Sequence, residues 1–520
     1  MLFVILILTK GIQVMKKIIS VFLVSLMILA LLCSCGGETE TSKESNPSVD
    51  VSTDTSADVS SGYVSGLPSD LKYEGEEFVI LSSYTNQWTD STMVYFGGDP
   101  AEGEFESNVV NDASVERINI VEEKLGVDIV EMMHRDTNAG GGANSSYYNM
   151  VLDANNAGTS EFHMTEGSLY NMGFLTTAGC LTDLMTLKYL DGMKGEWWNQ
   201  TFIDDISIKG SVYYTVGDIS FGHINCIYLI YFNKKVQEDN DLPDFYALVD
   251  NNQWTYDKMF EMSKLIKSDL DSDNLYTHND EIGLVGQTSI MWAITYALNA
   301  KITTKDDSGL PTLNINSEDS IVKLQSVLED ITGDGNYIIV DGSTTTITDG
   351  FNMFIQDRNL FTADHTGSIV SLTGQMTSDF GFLPHPKYDE NQDQYYSLIS
   401  PWGGLAVAVP YTLDADDEEF VSAVMEELAV QGKNVLTGAY TEKLCKLQKT
   451  TDDRSKDMLD IVFSSAGCDL GMIHKIGKYD SEVTIFLRNK NTSIASAIQG
   501  KESQANTDIQ ALIDAIENMQ

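Results

Sequence analysis

The chain has 520 residues, 42% of them hydrophobic, with 77 acidic against 32 basic side chains and a net charge of −45. So acidic a surface repels phosphate backbones and anionic lipid headgroups, which excludes nucleic-acid binding as the main activity, because phosphate neutralisation needs Lys and Arg clusters. The length exceeds one ordinary hydrophobic core and predicts two lobes.

Residues 1–14, MLFVILILTKGIQV, precede a second methionine and read as a mis-assigned start. From Met15 the chain shows a basic start at Lys16 and Lys17, then the uncharged run IISVFLVSLMILALL and small residues behind it, the three parts of a secretory signal. The run alone nearly suffices to span a bilayer, which takes about 20 apolar residues, so its end decides. Leu32-Cys33-Ser34-Cys35 resembles the bacterial lipobox, in which an aliphatic and then a small residue precede a cysteine that is diacylated and becomes the new N-terminus. The resemblance makes 1–34 a signal peptide, Cys35 the lipidated residue, and the outer face of the cytoplasmic membrane the location. Residues 1–34 hold Lys10, Lys16 and Lys17 and no acid, so the remainder carries 29 basic and 77 acidic groups, net −48.

Residues 35–71 begin GGETETSKESNPSVDVSTDTSADVSSG after the cysteine. That stretch is too poor in apolar groups to offset its ordering entropy and is expected to be a flexible tether. About 27 such residues span on the order of 30 Å as a coil.

EEFVILSS then predicts a first strand, and SNVVNDASVERINIVEEKL a helix with Val110, Ala113, Val121 and Leu125 on its apolar face. Gly126 stops it, VDIVEMM is a second strand, SYYNMVLDANNAG a helix and FHMTEG a third strand, which together read as βαβ units of a doubly wound lobe. CLTDLMTL leads into a loop holding Trp197 and Trp198. SVYYTVGDISFGHINCIYLIYFN reads as a hairpin of two apolar strands, followed by a short helix. In NNQWTYDKMFEMSKLIKSDL, Thr255 precedes an amphipathic helix with Met259, Phe260, Met262 and Leu265 on its buried face. IGLVGQ predicts a strand, DITGDGNYIIVD a turn, FNMFIQDRNLFTADHTG a return to a strand, and GGLAVAVP a strand with hinge glycines at its start. Cys180, Cys226, Cys445 and Cys468 are widely spaced, so buried free thiols are favoured over a disulfide framework.

Several of these pieces together resemble the extracellular solute-binding proteins of bacterial ABC importers, the sugar-binding type of family 1 found as lipoproteins in Firmicutes. There a strand ends in Tyr/Phe-Asn-Lys, here Phe232-Asn233-Lys234, and a Trp-Thr-aromatic tripeptide, here Trp254-Thr255-Tyr256, starts a helix. GDIS at 217–220, FLPHPKYDENQDQYYS at 382–397 and DDRSKDMLDIVFSSAGCDLG at 452–471 are similar to that branch's recurring segments. An Arg-Asn pair usual in the first helix reads Arg117-Ile118-Asn119. The resemblance implies an α/β, two-lobed periplasmic-binding-protein-like fold with several interlobe crossings. Lobe one would be 72–224 plus 357–403, and lobe two 225–356 plus 404–520. It implies a monomer that captures a carbohydrate, most often an oligosaccharide, between its lobes and delivers it to the transmembrane subunits of an ABC permease, without catalysis.

Two sets of residues are candidates for chemistry. DLDSDNLYTHND, from Asp269 to Asp280, places Asp269, Asp271, Asp273, Thr277 and Asp280 and the Leu275 carbonyl in the spacing of an EF-hand calcium loop. Asn274 replaces its glycine and Asp280 its glutamate, and Asn tolerates the left-handed turn that the loop requires. A structural calcium ion is expected there, against the alternative of a solvated acidic turn. A sugar site needs aromatic platforms with carboxylates around them. Tyr84 and Trp88 follow the first strand, Trp292 follows IGLVGQ, and Trp402 adjoins the hinge glycines. Glu166, Asp218 and Asp364 each close a strand. Trp254 is expected in the core. Paired carboxylates keep a secreted glycoside hydrolase as an alternative, although G-x-S-x-G, H-E-x-x-H and P-loop motifs are missing. A subunit feeding a membrane sensor is the other alternative.

Overall fold

The computed structural model describes residues 62–84, 96, 109–136, 138, 140–159, 161–333, 335–341, 345–368, 376–446 and 453–519. The signal, Cys35, most of the tether and Trp88 lie outside them.

The first sheet forms as the sequence predicts. Strand β1 (Glu76–Tyr84) is its centre, and α1 (Val109–Leu125) leads to β2 (Val127–Arg135), which pairs in parallel with β1 from Glu76 opposite Val127 to Tyr84 opposite Arg135. Helix α1 buries Val110, Ala113, Val121 and Leu125 and ends at Gly126, whose φ of 68° suits glycine. Ser145 caps α2 (Ser146–Ala157), and β3 (Met164–Ser168) then pairs in parallel with β1 on its other side. Helix α3 (Leu169–Thr177) starts at once, because the Ser168 hydroxyl accepts from Asn171 N–H and replaces a missing helix bond.

The second sheet starts with β4 (Tyr228–Asn233), buried at every position, as expected for a continuous apolar run. Thr255 caps α4 (Tyr256–Ser263), β5 (Glu281–Gly286) follows, and α5 (Ile290–Ala297) springs from the end of β5. Strand β6 (Ile338–Ile339) and the two-residue strand Lys267–Ser268 both pair with β5, and β7 (Asn359–His365) and β8 (Phe380–Leu383) give the order β8-β4-β7-β5 for the rest of this six-stranded sheet. Trp254 is fully buried, packs on Phe245 and Phe361, and donates its indole N–H to the Pro384 carbonyl at 2.9 Å.

The chain then returns. Strand β9 (Ser397–Leu398) leads to β10 (Leu405–Ala408), which pairs antiparallel with β3 and completes the first sheet in the order β2-β1-β3-β10. Helix α6 (Ala415–Gln431) packs on α1 and runs into a π-helical turn at Gly432–Leu436, followed by α7 (Thr437–Lys446). Helix α8 (Asp453–Ser464) packs on β8, and β11 (Ala466–Gly467) pairs with β9. Helices α9 (Tyr479–Arg488) and α10 (Glu502–Glu517) close the chain, α9 against α5 and α10 near α3. Among the described residues no helix is long and apolar enough to cross a membrane.

Three expectations are corrected. Helix α4 ends at Ser263, so Leu265, expected on its buried face, lies beyond it and is 64% exposed. Residues 211–233 form no hairpin: Thr215 bridges Val407 of β10, whereas β4 pairs with β7 and β8. The segments after 356 also change places. Strands β7 and β8, expected in lobe one, belong to the second sheet, and β10, expected in lobe two, belongs to the first. The reason is physical, since short apolar runs show that a strand is buried but not which distant strand it pairs with. Cys180, Cys226 and Cys468 are buried free thiols; the Cys445 side chain lies outside the described set.

Candidate functional site

Open α/β sheets bind ligands beyond the carboxyl ends of their strands, and here two sets of such ends meet along one crossing. At the end of β3, the N–H groups of Leu169 and Tyr170 donate to the carbonyls of Gly404 and Pro401, each at 3.0 Å. The same crossing is tied to the second sheet: Ser400 N–H donates to Cys226 O at 2.8 Å, and Ile399 bridges Ile227. Beyond β7, Thr366 N–H donates to Ile227 O at 2.9 Å. Residues 226–228 and 399–404 therefore lie between the strand ends of the two sheets.

Side chains join the two sides as well. The Tyr170 hydroxyl donates to Asp480 Oδ2 at 3.0 Å, and the Trp292 indole N–H donates to the Asp480 carbonyl at 2.7 Å. The Lys475 ammonium sits 3.7 Å from the centre of the Tyr170 ring, and burial pulls its pKa down although Asp480 opposes this. On the second sheet, Gln287 donates its amide to Asp364 Oδ2 at 3.3 Å and accepts at its main-chain carbonyl from Tyr337 Oη at 2.6 Å. Burial raises the phenol pKa of Tyr228, and the hydroxyls of Ser289 and Ser400 act against the shift while the Asp364 charge adds to it. Half-buried Trp292 thus meets Asp480, buried Asp364 meets Gln287, and half-buried Trp402 is part of the crossing itself, so these segments carry polar groups and flat rings of the kind a polyhydroxylated ligand needs.

The other predicted residues lie elsewhere. Tyr84 ends β1 half-buried, and its carbonyl accepts from Asp136 N–H at 2.9 Å. Glu166 sits in the middle of β3 with no exposure, beside the equally buried Arg117 of α1. Neither Glu166 oxygen meets a donor in good hydrogen-bond geometry. Burial pushes its pKa up to about 8, and the Ser220 hydroxyl and Arg117 offset this only in part. Asp218 accepts from Thr437 Oγ1 and pairs with Lys433 at 3.5 Å, so burial raises its pKa against their pull. It lines a different cavity, of about 470 Å³, with Trp197, His223 and Phe463. Trp197 and Trp198 both donate to Glu426 Oε2, at 3.1 and 3.0 Å. Tyr170, Tyr228, Gln287 and Asp480 escaped the sequence reading. The Ser168 hydroxyl, which caps α3, is a signal that could have marked the end of β3 and pointed to Tyr170, but no local signal ties Asp480 to it across 310 positions.

In the acidic loop, the carboxylates of Asp269, Asp271 and Asp273 offer ligand atoms within 4.8 Å of one another. The turn is formed as the spacing requires, with Asn274 at φ 64° and its N–H donating to Asp269 Oδ2 at 2.9 Å. Asp269 Oδ1 is buried without a partner, and desolvation together with the Asp273 charge raises the pKa of Asp271. These three suit a hard cation. Asp280 is engaged differently: it accepts from Leu270 N–H at 2.9 Å and from Thr277 N–H at 2.8 Å, bonds that close the loop. Burial would raise its pKa, and those bonds outweigh it and hold the group low. Thr277 Oγ1 also turns to Asp280, and the Leu275 side chain is exposed.

No protein-family model matches the chain, and no curated protein matches it. Solved structures do. A cyclo/maltodextrin-binding protein in complex with maltotetraose aligns over 86% of this chain and 99% of its own, at 12% identity and a TM-score of 0.53. An ABC transporter solute-binding protein from Thermotoga lettingae, bound with α-D-tagatose, aligns over 84% and 100%, at 15% identity and a TM-score of 0.49. An ABC substrate-binding protein from Listeria monocytogenes, in complex with cycloalternan, aligns over 84% and 99%, at 13% identity and a TM-score of 0.48. The maltodextrin-binding neighbour identifies the fold as the two-lobed α/β fold of periplasmic binding proteins.

Proposed function

We propose that the chain is an extracytoplasmic solute-binding lipoprotein of an ABC importer, of the sugar-binding Firmicutes type, that captures a carbohydrate and hands it to a permease. The observation that carries this reading is the convergence of both sets of strand ends on residues 226–228 and 399–404, where Tyr170, Asp480 and Trp292 link the two sides. The carbohydrate class draws on the maltotetraose bound by the neighbouring structure and on the rings and carboxylates gathered there. An oligosaccharide is favoured.

Ligand contact with both sides shifts an open–closed equilibrium, and the closed surface is what the permease reads. The protein acts as a monomer, without catalysis, tethered by acylated Cys35 on the outer face of the cytoplasmic membrane. Asp269, Asp271 and Asp273 hold a structural calcium ion that neutralises their mutual repulsion.

A thermal-shift screen of maltotetraose and other sugars against peptides and polyamines tests the ligand class. A ligand at 100 times its Kd adds about 2.7 kcal/mol to the folded state. Peptides that shift the midpoint while sugars do not would overturn the carbohydrate reading. Trp402→Ala is expected to weaken sugar binding with the fold intact, and solution scattering to show a smaller radius of gyration on saturation. Cys35→Ser is expected to lose palmitate label. Asp271→Ala with Asp273→Ala is expected to lower the melting temperature in calcium but not in chelator; equal losses in both would leave an ordinary turn.

A further inference from the structure

A cavity of about 840 Å³ lies between α3 and the C-terminal segment that runs through residues 473–481 into α10. Asp480 borders it and is only 3% exposed; its Oδ2 takes the Tyr170 hydroxyl, but Oδ1 has no donor. A buried carboxylate oxygen left bare is costly, so the site is built to receive a donor. The cations around the cavity are not equally occupied. Lys501 is paired with Glu482 at 3.1 Å, and Lys475 lies 4.0 Å from Asp480. Lys478 is exposed and has no ion pair among the described residues, in a chain with 77 acids to 32 bases. Asp508 is already engaged by Gly477 N–H at 2.8 Å and by Gln504.

What remains open among the described residues is therefore one acceptor, Asp480 Oδ1, and one unpaired cation, Lys478, with Lys475 nearby and only loosely paired at 4.0 Å. The backbone holds them in an unusual way: Lys475, Gly477 and Lys478 have φ of 52°, 58° and 57°, a left-handed run that lysine rarely adopts. Lys478 then opens α9 with no side-chain cap, and the positive end of a helix favours an anion beside it. Phe174 adds a ring to the wall, suited to the CH face of a sugar.

We propose that this cavity is a second small-molecule site, and that it takes an acidic sugar whose carboxylate meets Lys478 and Lys475 and whose hydroxyl donates to Asp480. It adjoins the strand-end cleft, with which it shares Asp480, whereas Lys478 is outside the contacts that link the two sides of that cleft. Calorimetry on the mature chain with D-glucuronate and D-glucose, which differ in the carboxylate, tests it. Glucuronate is expected to bind at least tenfold more tightly than glucose, with a preference that shrinks as salt rises. Lys478→Gln is expected to remove that preference and leave maltotetraose affinity unchanged, and Asp480→Asn to weaken glucuronate at least tenfold. Equal affinity for the two monosaccharides, or undiminished glucuronate binding by Lys478→Gln, overturns the proposal. A chain that prefers glucuronate in this Lys478-dependent way but ignores maltotetraose supports the cavity site and sinks the cleft reading alone.

Discussion

The layer between α1 and the first sheet is organised around Arg117, Glu131 and Glu166, whereas the layer over the second sheet holds Phe232, Phe245, Trp254 and Phe361. Arg117, Glu166 and the four aromatic residues are closed to solvent, yet the two layers respond to different variables. Aromatic packing depends on shape and area, which pH leaves alone. A buried carboxyl and guanidinium depend on protonation state, because an ionised group without full hydrogen bonding is held in low dielectric at a cost. Helix α1 also supplies a hydrogen bond to the path between the sheets, since Arg117 donates to the Ile219 carbonyl next to Asp218. Charge in that interior thus ties α1 to the path between the sheets, and the second sheet has aromatic mass in its place.

The largest expected effect lies on the aromatic side. Trp254→Ala empties a fully buried position packed at 5.9 Å from Phe245 and 5.6 Å from Phe361, and strips the Pro384 carbonyl of its donor. A loss of about 3–5 kcal/mol is expected from urea unfolding. It should be the same at pH 5 and pH 9; a loss that changes with pH would break the contrast.

Glu166→Gln sharpens the other half. The folded-state pKa is raised to about 8 from an ordinary value of 4.5. The folded protein therefore binds more protons than the unfolded chain between those values. The stability from this group is complete below pH 4.5 and is lost as pH rises through 8. Glutamine does not titrate, so the variant should match the parent near pH 5 and exceed it by on the order of a few kcal/mol at pH 9. Parallel stability profiles across that range would show that the carboxyl is not held in its neutral form.

Gly404→Ala separates two reasons for a glycine. The glycines that open GGLAVAVP, Gly403 and Gly404, were expected to serve as a hinge. A Cβ at Gly404 would stand 2.5 Å from Ile399 Cγ2 and 2.8 Å from the Ser400 carbonyl, and the residue's φ is not positive, so close packing fixes the residue. A loss of about 1–3 kcal/mol is expected from overpacking. Unchanged stability in thermal melts with altered ligand affinity would favour the hinge.

Legibility followed the same division between local and distant causes. Strand β1, α1 with its Gly126 stop, and α4 behind Thr255 were readable because period, cap and breaker sit within a few residues of each other. The partner of β10 was not, since Val407 meets Glu166 across 241 positions and nothing in LAVA specifies β3. The same limit governs the site. Trp292 and Asp364 were chosen for their place at strand ends and Trp402 for the glycines beside it, while Asp480 reaches Tyr170 only through the fold. Glu166 was expected to close a strand but sits in the middle of β3, with its side chain beside Arg117.

The smallest expected effects come from one helix cap in each region. Thr255 accepts from Lys258 N–H at 3.3 Å, a long bond, and α4 is also held by Tyr256 N–H donating to the Lys387 carbonyl at 2.9 Å. Thr255→Ala should therefore cost about 1 kcal/mol or less. Ser145 does more with one hydroxyl. It accepts from Tyr148 N–H at 2.9 Å and donates to Asp136, which lies 2.9 and 3.0 Å away through its two oxygens. Asp136 is 5% exposed, so its charge relies on that donor together with Asn171 Nδ2 at 3.0 Å and Ser146 N–H at 3.1 Å. Ser145→Ala removes a cap and leaves a buried carboxylate short of one donor, for a loss of about 2 kcal/mol. The two variants differ because a cap in the first region is wired to a buried charge and a cap in the second is not. Urea unfolding of both at pH 7 measures the gap, and equal losses would mean that Asp136 finds a replacement donor.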